Sequence, residues 1–169
     1  MRKATAKNLT NNFKENEFAC KHCGKVPTDG IPIALVTGLQ SLRDELGKPI
    51  IILSGFRCSW HNRSVGGSRN SKHLLGIAAD ITTGREFPIL DVFRRTTKYF
   101  PRVGLYKSTY HPGIGSIHVD IFDKNGALYW WRDRYAERKD PDHMTHWSTY
   151  NYFTDDWAEA ERRFKDVVI

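Results

Sequence analysis

From Ile31 to Leu46, apolar residues recur at steps of three and four, at Ile33, Val36, Leu39, Leu42 and Leu46. That spacing predicts a helix with one buried face, closed by Gly47. After Pro49 the pattern becomes an unbroken aliphatic run, Ile50 to Leu53, which predicts a short strand. Ser54 to Ser71 is polar and holds Gly55, Gly66 and Gly67, so it reads as a loop with a short helix near Trp60 to Ser64. His73 to Thr82 begins as a turn and finishes as a strand through Ile77 to Ile81. A second helix is predicted over Glu86 to Tyr99, with Ile89, Val92, Phe93 and Thr96 inward. Val103 to Tyr106, Ser116 to Phe122 and Leu128 to Trp131 read as strands, and Asn125-Gly126 between the last two is a hairpin signal. Asp155 to Val167 predicts a C-terminal helix. Helices early and hairpin-linked strands late imply an α+β fold, a small antiparallel sheet with flanking helices.

Size and composition narrow this picture. A chain of 169 residues with 40% hydrophobic and 27% charged content suits one domain with a real core rather than a disordered segment. There is no run of eighteen apolar residues, so no membrane span is expected. Met1 to Glu17 is polar without an apolar stretch, which predicts no secretory signal and synthesis in the cytoplasm. The net charge of +7 suggests a polyanionic partner. It is unevenly spread: seven bases and nine acids leave residues 131–169 at −2, so the first 130 carry +9. From Trp130 onward the chain is rich in aromatics, among them Trp130, Trp131, Tyr135, Trp147, Tyr150, Tyr152, Phe153 and Trp157. We divide the chain into a core over 1–131 and an aromatic extension over 132–169, packed on the same domain.

The most informative stretch is Ser71-Lys72-His73-Leu74-Leu75-Gly76-Ile77-Ala78-Ala79-Asp80, with Ile117-His118-Val119-Asp120 downstream. Two imidazoles and a carboxylate form a plausible open zinc site that leaves a fourth position for water. Alternation along a strand puts His118 and Asp120 on one face, which makes Asp120 a supporting residue or a general base. The small residues Gly76, Ala78 and Ala79 allow close backbone approach between the first two ligands.

The pattern Ser-x-His-x-x-Gly-x-Ala-x-Asp followed by His-Val-Asp resembles the zinc D-Ala-D-Ala carboxypeptidase and endolysin peptidase family, in its phage-type branch. Ser54-Gly55-Phe56-Arg57, His61-Asn62 and Val65-Gly66-Gly67 resemble the stretch before the first zinc histidine. Asn12-Phe13, Glu17-Phe18-Ala19-Cys20 and Gly104-Leu105-Tyr106 resemble further family segments, so the likeness runs from about Leu9 to Trp131. The resemblance implies a Hedgehog/DD-peptidase-like fold with zinc ligands His73, Asp80 and His118. It also implies that Arg57, with Ser71 nearby, binds an anionic group of a peptidoglycan stem peptide. A planar guanidinium suits that role, since it holds a carboxylate through two parallel hydrogen bonds. Several members carry an acidic base three residues before the last histidine; here Gly115 stands there, and Ser116 follows. The general base is therefore sought in Asp120, then in His111 on the preceding loop.

Cys20-Lys21-His22-Cys23 and Cys58-Ser59-Trp60-His61 could together supply a second, structural zinc site of three sulfurs and one imidazole. Buried thiols, or a Cys20–Cys58 or Cys23–Cys58 disulfide, are the alternatives, and the resemblance places His-Asn at 61–62 irrespective of cysteine. Asp140-Pro141-Asp142-His143 and His146 in the tail read as solvated.

The leading expectation is a monomeric zinc peptidase acting on peptidoglycan stem peptides, by carboxypeptidase or endopeptidase cleavage, without membrane or nucleic-acid partners. The basic front suits attraction to anionic wall polymers. Synthesis in the cytoplasm with action at the wall after release fits an endolysin or a virion-associated enzyme. The alternatives are a basic zinc-knuckle protein that binds nucleic acid and a non-catalytic wall-binding module.

Overall fold

A computed structural model of the chain describes residues 7–84, 87–107, 115–122, 128–133 and 150–154. The N-terminal segment closes on itself through an Asn8–Lys14 bridge and a 3-10 turn over Glu15–Phe18. Phe13 and Phe18 in it are fully buried and join the main core. Helix α1 runs from Ile33 to Leu46, with Gly47 in the left-handed conformation that its missing side chain permits. Leu35, Val36, Leu39, Leu42 and Leu46 face inward, whereas Ile33 at the first turn is 68% exposed, against the periodicity. Leu35 takes the inward place that the spacing had given to Ile33.

Strand β1 (Ile51–Ser54), helix α2 (Ser59–Ser64) and strand β2 (Ala78–Thr82) follow, with a 3-10 turn over Lys72–Leu75 just before β2. Helix α3 is shorter than expected, Ile89–Thr96, because Pro88 sets its start. Its inward residues are Ile89, Val92, Phe93 and Thr96, as the periodicity predicts. Strands β3 (Arg102–Lys107), β4 (Gly115–Asp120), β5 (Leu128–Asp133) and β6 (Tyr150–Thr154) complete the described elements.

Among the described residues the strands form one sheet in the order β1-β2-β4-β3-β5-β6. The four strands β1, β2, β4 and β3 pair antiparallel throughout, and the flanking helices make the fold α+β. The hairpin expected between β4 and β5 is not formed. Both edges of β4 are already occupied, by β2 and β3, so β5 joins the far edge of β3 and runs parallel to it. The Asn125-Gly126 signal itself lies outside the described residues, as does the helix expected over 155–167. Strand β6, not anticipated from the sequence, pairs antiparallel with β5. One sheet thus runs across the boundary drawn at residue 131.

One face of the four-strand unit is the core face. Ile81, Ile117 and Leu105 line up across it, beside Ala79, Val119 and Val103, all buried with the inward residues of α1 and α3. Burying a side chain of this kind contributes roughly 1.5–3 kcal/mol. The opposite face carries the polar residues.

Candidate metal centre

Strand register builds the site. Asp80 on β2 lies opposite His118 on β4, and His118 lies opposite Gly104 on β3. Opposed residues project to the same face, and the glycine adds no side chain to it. Ser54 joins this row through a bulge in β1. Ile52 pairs with Ile81 but Ser54 pairs with Asp80, so β1 has one extra residue, Leu53, at that point. The extra residue moves Ser54 from the face of Ile52 to the face of Asp80. Two residues along, Ala78, Asp120 and Arg102 form a second row on the same face. His73 arrives from the 3-10 turn before β2. Gly76 ends that turn at φ 71°, with Pro27 so close that a Cβ would meet it at 2.2 Å. Glycine is needed there on both counts.

These elements bring His73, Asp80 and His118 together, as the sequence suggested. His73 Nε2 is 3.2 Å from Asp80 Oδ1 and 3.1 Å from His118 Nδ1, which is 2.9 Å from the same carboxylate oxygen. The hydrogen bonds behind each ring set the tautomers. His73 Nδ1 donates to the Gly55 carbonyl at 2.6 Å, and His118 Nε2 donates to Asp120 Oδ2 at 3.3 Å. A neutral imidazole has one N–H, so Nε2 of His73 and Nδ1 of His118 present lone pairs toward Asp80. Three electron-rich atoms about 3 Å apart are stabilised by positive charge between them, from a metal ion or a proton. Tetrahedral ligands at about 2.0–2.1 Å from zinc would lie about 3.3 Å from one another, close to the spacings seen. The donor set therefore fits zinc, and the backing of each histidine by a carbonyl or carboxylate is the usual support for such ligands.

The electrostatics agree in direction. Burial pulls His73 below the ordinary imidazole range, against the attraction of Asp80, and so favours its neutral form. Burial also opposes charge on His118, but its bonds to Asp120 and Asp80 outweigh this and raise it. Burial would raise Asp80; His118 and His73 hold it far below the usual carboxylate range instead. Without metal, a proton on His118 meets part of the need for a cation. A divalent ion engages all three donors at once.

The remaining sequence candidates fall in distinct places. Arg57 stands beside the cluster, with Nε donating to Ser54 Oγ at 2.8 Å and Nη2 to Asp80 Oδ2. It thus grips the carboxylate oxygen that faces away from the histidines. Ser71 begins the turn that delivers His73, its carbonyl accepting from the Leu74 N–H at 3.1 Å. Asp120 is fully buried on the far side of His118. Its oxygens are engaged by His118, by Arg102 Nε at 3.1 Å and by the Phe122 N–H at 2.9 Å. Burial works against its charge, yet His118, the Phe122 N–H and Arg102 lower it below the normal carboxylate range. In that position the Asp120 carboxylate backs the His118 ring on the side away from Nδ1, its oxygens taken up by His118, Arg102 and the Phe122 N–H. His111 lies outside the described residues, as do His143 and His146.

Sequence reasoning missed Arg102, Ser54 and the Gly55 carbonyl. Arg102 becomes visible only through its register opposite Asp120, and Ser54 only through the bulge. Gly55 has a steric signature as well. A Cβ there would meet the Phe18 carbonyl oxygen at 2.5 Å. This close approach lets the Phe56 N–H donate to Phe18 O at 2.8 Å.

Among the described residues a second group of ligand-type atoms stands apart from this one. The sulfurs of Cys20, Cys23 and Cys58 lie within 4.8 Å of one another. All three cysteines are free thiols, so neither expected disulfide is formed here.

Residues 11–120 match the sequence profile of the Peptidase M15 family, about two thirds of the chain and all of the metal-facing cluster. The chain belongs to the peptidase M15 family. Over 56 residues it is 46% identical to the zinc D-Ala-D-Ala carboxypeptidase of Streptomyces albus G, a match covering 31% of this chain and 22% of that protein. The likeness to that relative is thus confined to about a fifth of the relative's length. No helix among the described residues of this M15 member is long and apolar enough to cross a membrane.

Proposed function

We propose that this M15 protein is a zinc-dependent peptidase that hydrolyses peptide bonds in peptidoglycan stem peptides, as a carboxypeptidase or an endolysin-like endopeptidase. The observation that carries the reading is the convergence of His73 Nε2, Asp80 Oδ1 and His118 Nδ1 at about 3 Å spacing, with both imidazole protons committed behind the rings. His73, Asp80 and His118 would hold a zinc ion, which would supply Lewis-acid polarisation of a carbonyl and a lowered pKa for bound water.

The chain's own residues do the rest. Asp120, fixed by Arg102, keeps the His118 ring turned so that Nδ1 faces the cluster. The Gly55 carbonyl does the same for His73. Arg57 orients Asp80 and is the cation nearest the site for a carboxylate of the stem peptide, which its planar fork can hold. With Asp120 committed to His118, we assign proton transfer to His111. An imidazole is a side chain that can take a proton and return it to a leaving amine. The substrate places the site of action at the cell wall, with anionic wall polymers attracting the basic front of the chain.

The deciding experiment digests purified peptidoglycan with zinc-loaded, chelated and zinc-restored protein, and identifies the products by mass spectrometry. New amino termini or free D-alanine should appear, vanish on chelation and return with zinc. His118→Ala should remain folded and inactive. A zinc-loaded chain that releases no product from any wall preparation refutes the peptidase reading.

A further inference from the structure

We infer that Cys20, Cys23 and Cys58 bind a second metal ion, with His61 as the fourth ligand, and that this ion is structural. Nothing in the proposed reaction uses these residues, yet two segments 38 positions apart converge to bring three sulfurs within 4.8 Å. Around a tetrahedral zinc, sulfurs lie about 3.8 Å apart and a sulfur and a nitrogen about 3.6 Å apart. His61 Nδ1 is 3.4 Å from Cys20 Sγ but outside the mutual 4.8 Å reach of the three sulfurs, so a turn of its ring would complete the set.

Local structure explains the arrangement. After Cys20 the chain doubles back: the Gly24 N–H donates to Cys20 O and the Cys20 N–H to Lys25 O, both at 2.8 Å. This tight turn carries Cys23 back toward Cys20. Cys58 caps α2, with its sulfur accepting from the backbone N–H of His61, three residues on, at 3.5 Å. The Cys58 N–H points at Cys20 Sγ from 3.4 Å, a backbone donor of the sort that supports a metal-bound sulfur. Finally, the His22 ring stacks on Trp60 at 4.0 Å and 24°, holding the turn against α2.

A disulfide would use two of these sulfurs and strand the third beside it, whereas a tetrahedral ion uses all three. A set of three thiolates and an imidazole selects zinc over magnesium or calcium, and four protein ligands leave no open position for chemistry. The site joins residues 20–24 to the loop that supplies the Gly55 carbonyl to His73 and Arg57 to Asp80. Its ion therefore stiffens the support of the first centre without taking part in hydrolysis.

The test is metal stoichiometry on the full chain, purified under reducing conditions and measured by elemental mass spectrometry. Two zinc ions per chain are expected. His118→Ala and Cys23→Ser should each retain one, and the double variant none. Cys23 is the exposed member of the set, so its substitution disturbs packing least. Cobalt substitution separates the centres: a thiolate-to-cobalt charge-transfer band should persist in His118→Ala and disappear in Cys23→Ser. His61→Ala should release the thiolate-bound ion faster to a chelator. A parent chain holding one zinc that is lost in His118→Ala overturns the inference, as does a Cys23→Ser chain that still holds two. Neither result touches the peptidase reading, which depends on the His118 centre alone.

Discussion

Asp120 holds His118 from behind: the two side chains share one face of β4, and His118 Nε2 donates to Asp120 Oδ2 at 3.3 Å. The carboxylate is itself fixed by Arg102. Asp120→Ala should therefore remove a buried carboxylate that both Arg102 and His118 contact, at a cost of roughly 3 kcal/mol in stability. Asp120→Asn keeps an acceptor for His118 and should fold well, but bind zinc about 10–100-fold more weakly. Zinc affinity by chelator competition checks this, alongside urea unfolding. An Asp120→Asn protein with parental affinity would show that the orienting role is wrong.

Arg57 makes two directed contacts that an ammonium group cannot reproduce together, one to Ser54 and one to Asp80. Arg57→Lys should retain the zinc and the fold yet lose activity about 10-fold or more. If Arg57 also binds a substrate carboxylate, the loss should fall mainly on KM with a carboxylate-bearing peptide. Amidation of that carboxylate should then harm the parent far more than the variant. Steady-state kinetics on the two peptides separate these contributions.

Gly55→Ala should destabilise the protein by about 1–3 kcal/mol, since the new methyl group meets backbone rather than a movable side chain. The same displacement moves the carbonyl that fixes His73 Nδ1. A fall in the urea midpoint with weaker zinc retention is the expected pair of results, and a silent substitution would refute the close approach.

Glu45 links α1 to the region around α3. Its oxygens accept from Lys98 Nζ at 2.7 Å, Tyr99 Oη at 2.6 Å and Arg95 Nη1 at 2.8 Å. The bond from Lys98, then that from Tyr99, holds the carboxyl down at about 2. A carboxyl depressed on folding contributes stability above its unfolded pKa, and that contribution fades as pH falls toward the folded value. Glu45→Gln should accordingly be less stable than the parent at neutral pH, with the gap closing between about pH 4.5 and 2. Salt should shrink it too, because Arg95 and Lys98 are largely solvated. Melting curves across that range decide the matter; a gap independent of pH would remove the ionic explanation.

Much of this protein was legible along the chain. The three- and four-residue spacing placed α1 and α3, and the inward set of α3 came out residue by residue. The aliphatic and alternating runs located β1 to β4. The order of His73, Asp80 and His118 carried the candidate metal-binding set, because ligand chemistry is written in residue types. Pairing was not legible. A strand's pattern specifies which side of it is buried, not which neighbour it takes, so Asn125-Gly126 suggested a hairpin although β4 had no free edge. Nor could a sequence pattern show the bulge at Leu53, which turns Ser54 toward Asp80, or the register that sets Arg102 against Asp120. Those contacts join residues far apart in sequence, and only the folded sheet brings them within hydrogen-bond distance. The sequence by itself determined the chemistry available; the tertiary structure decided which side chains meet, setting Asp120 behind His118 rather than among the three metal-facing atoms.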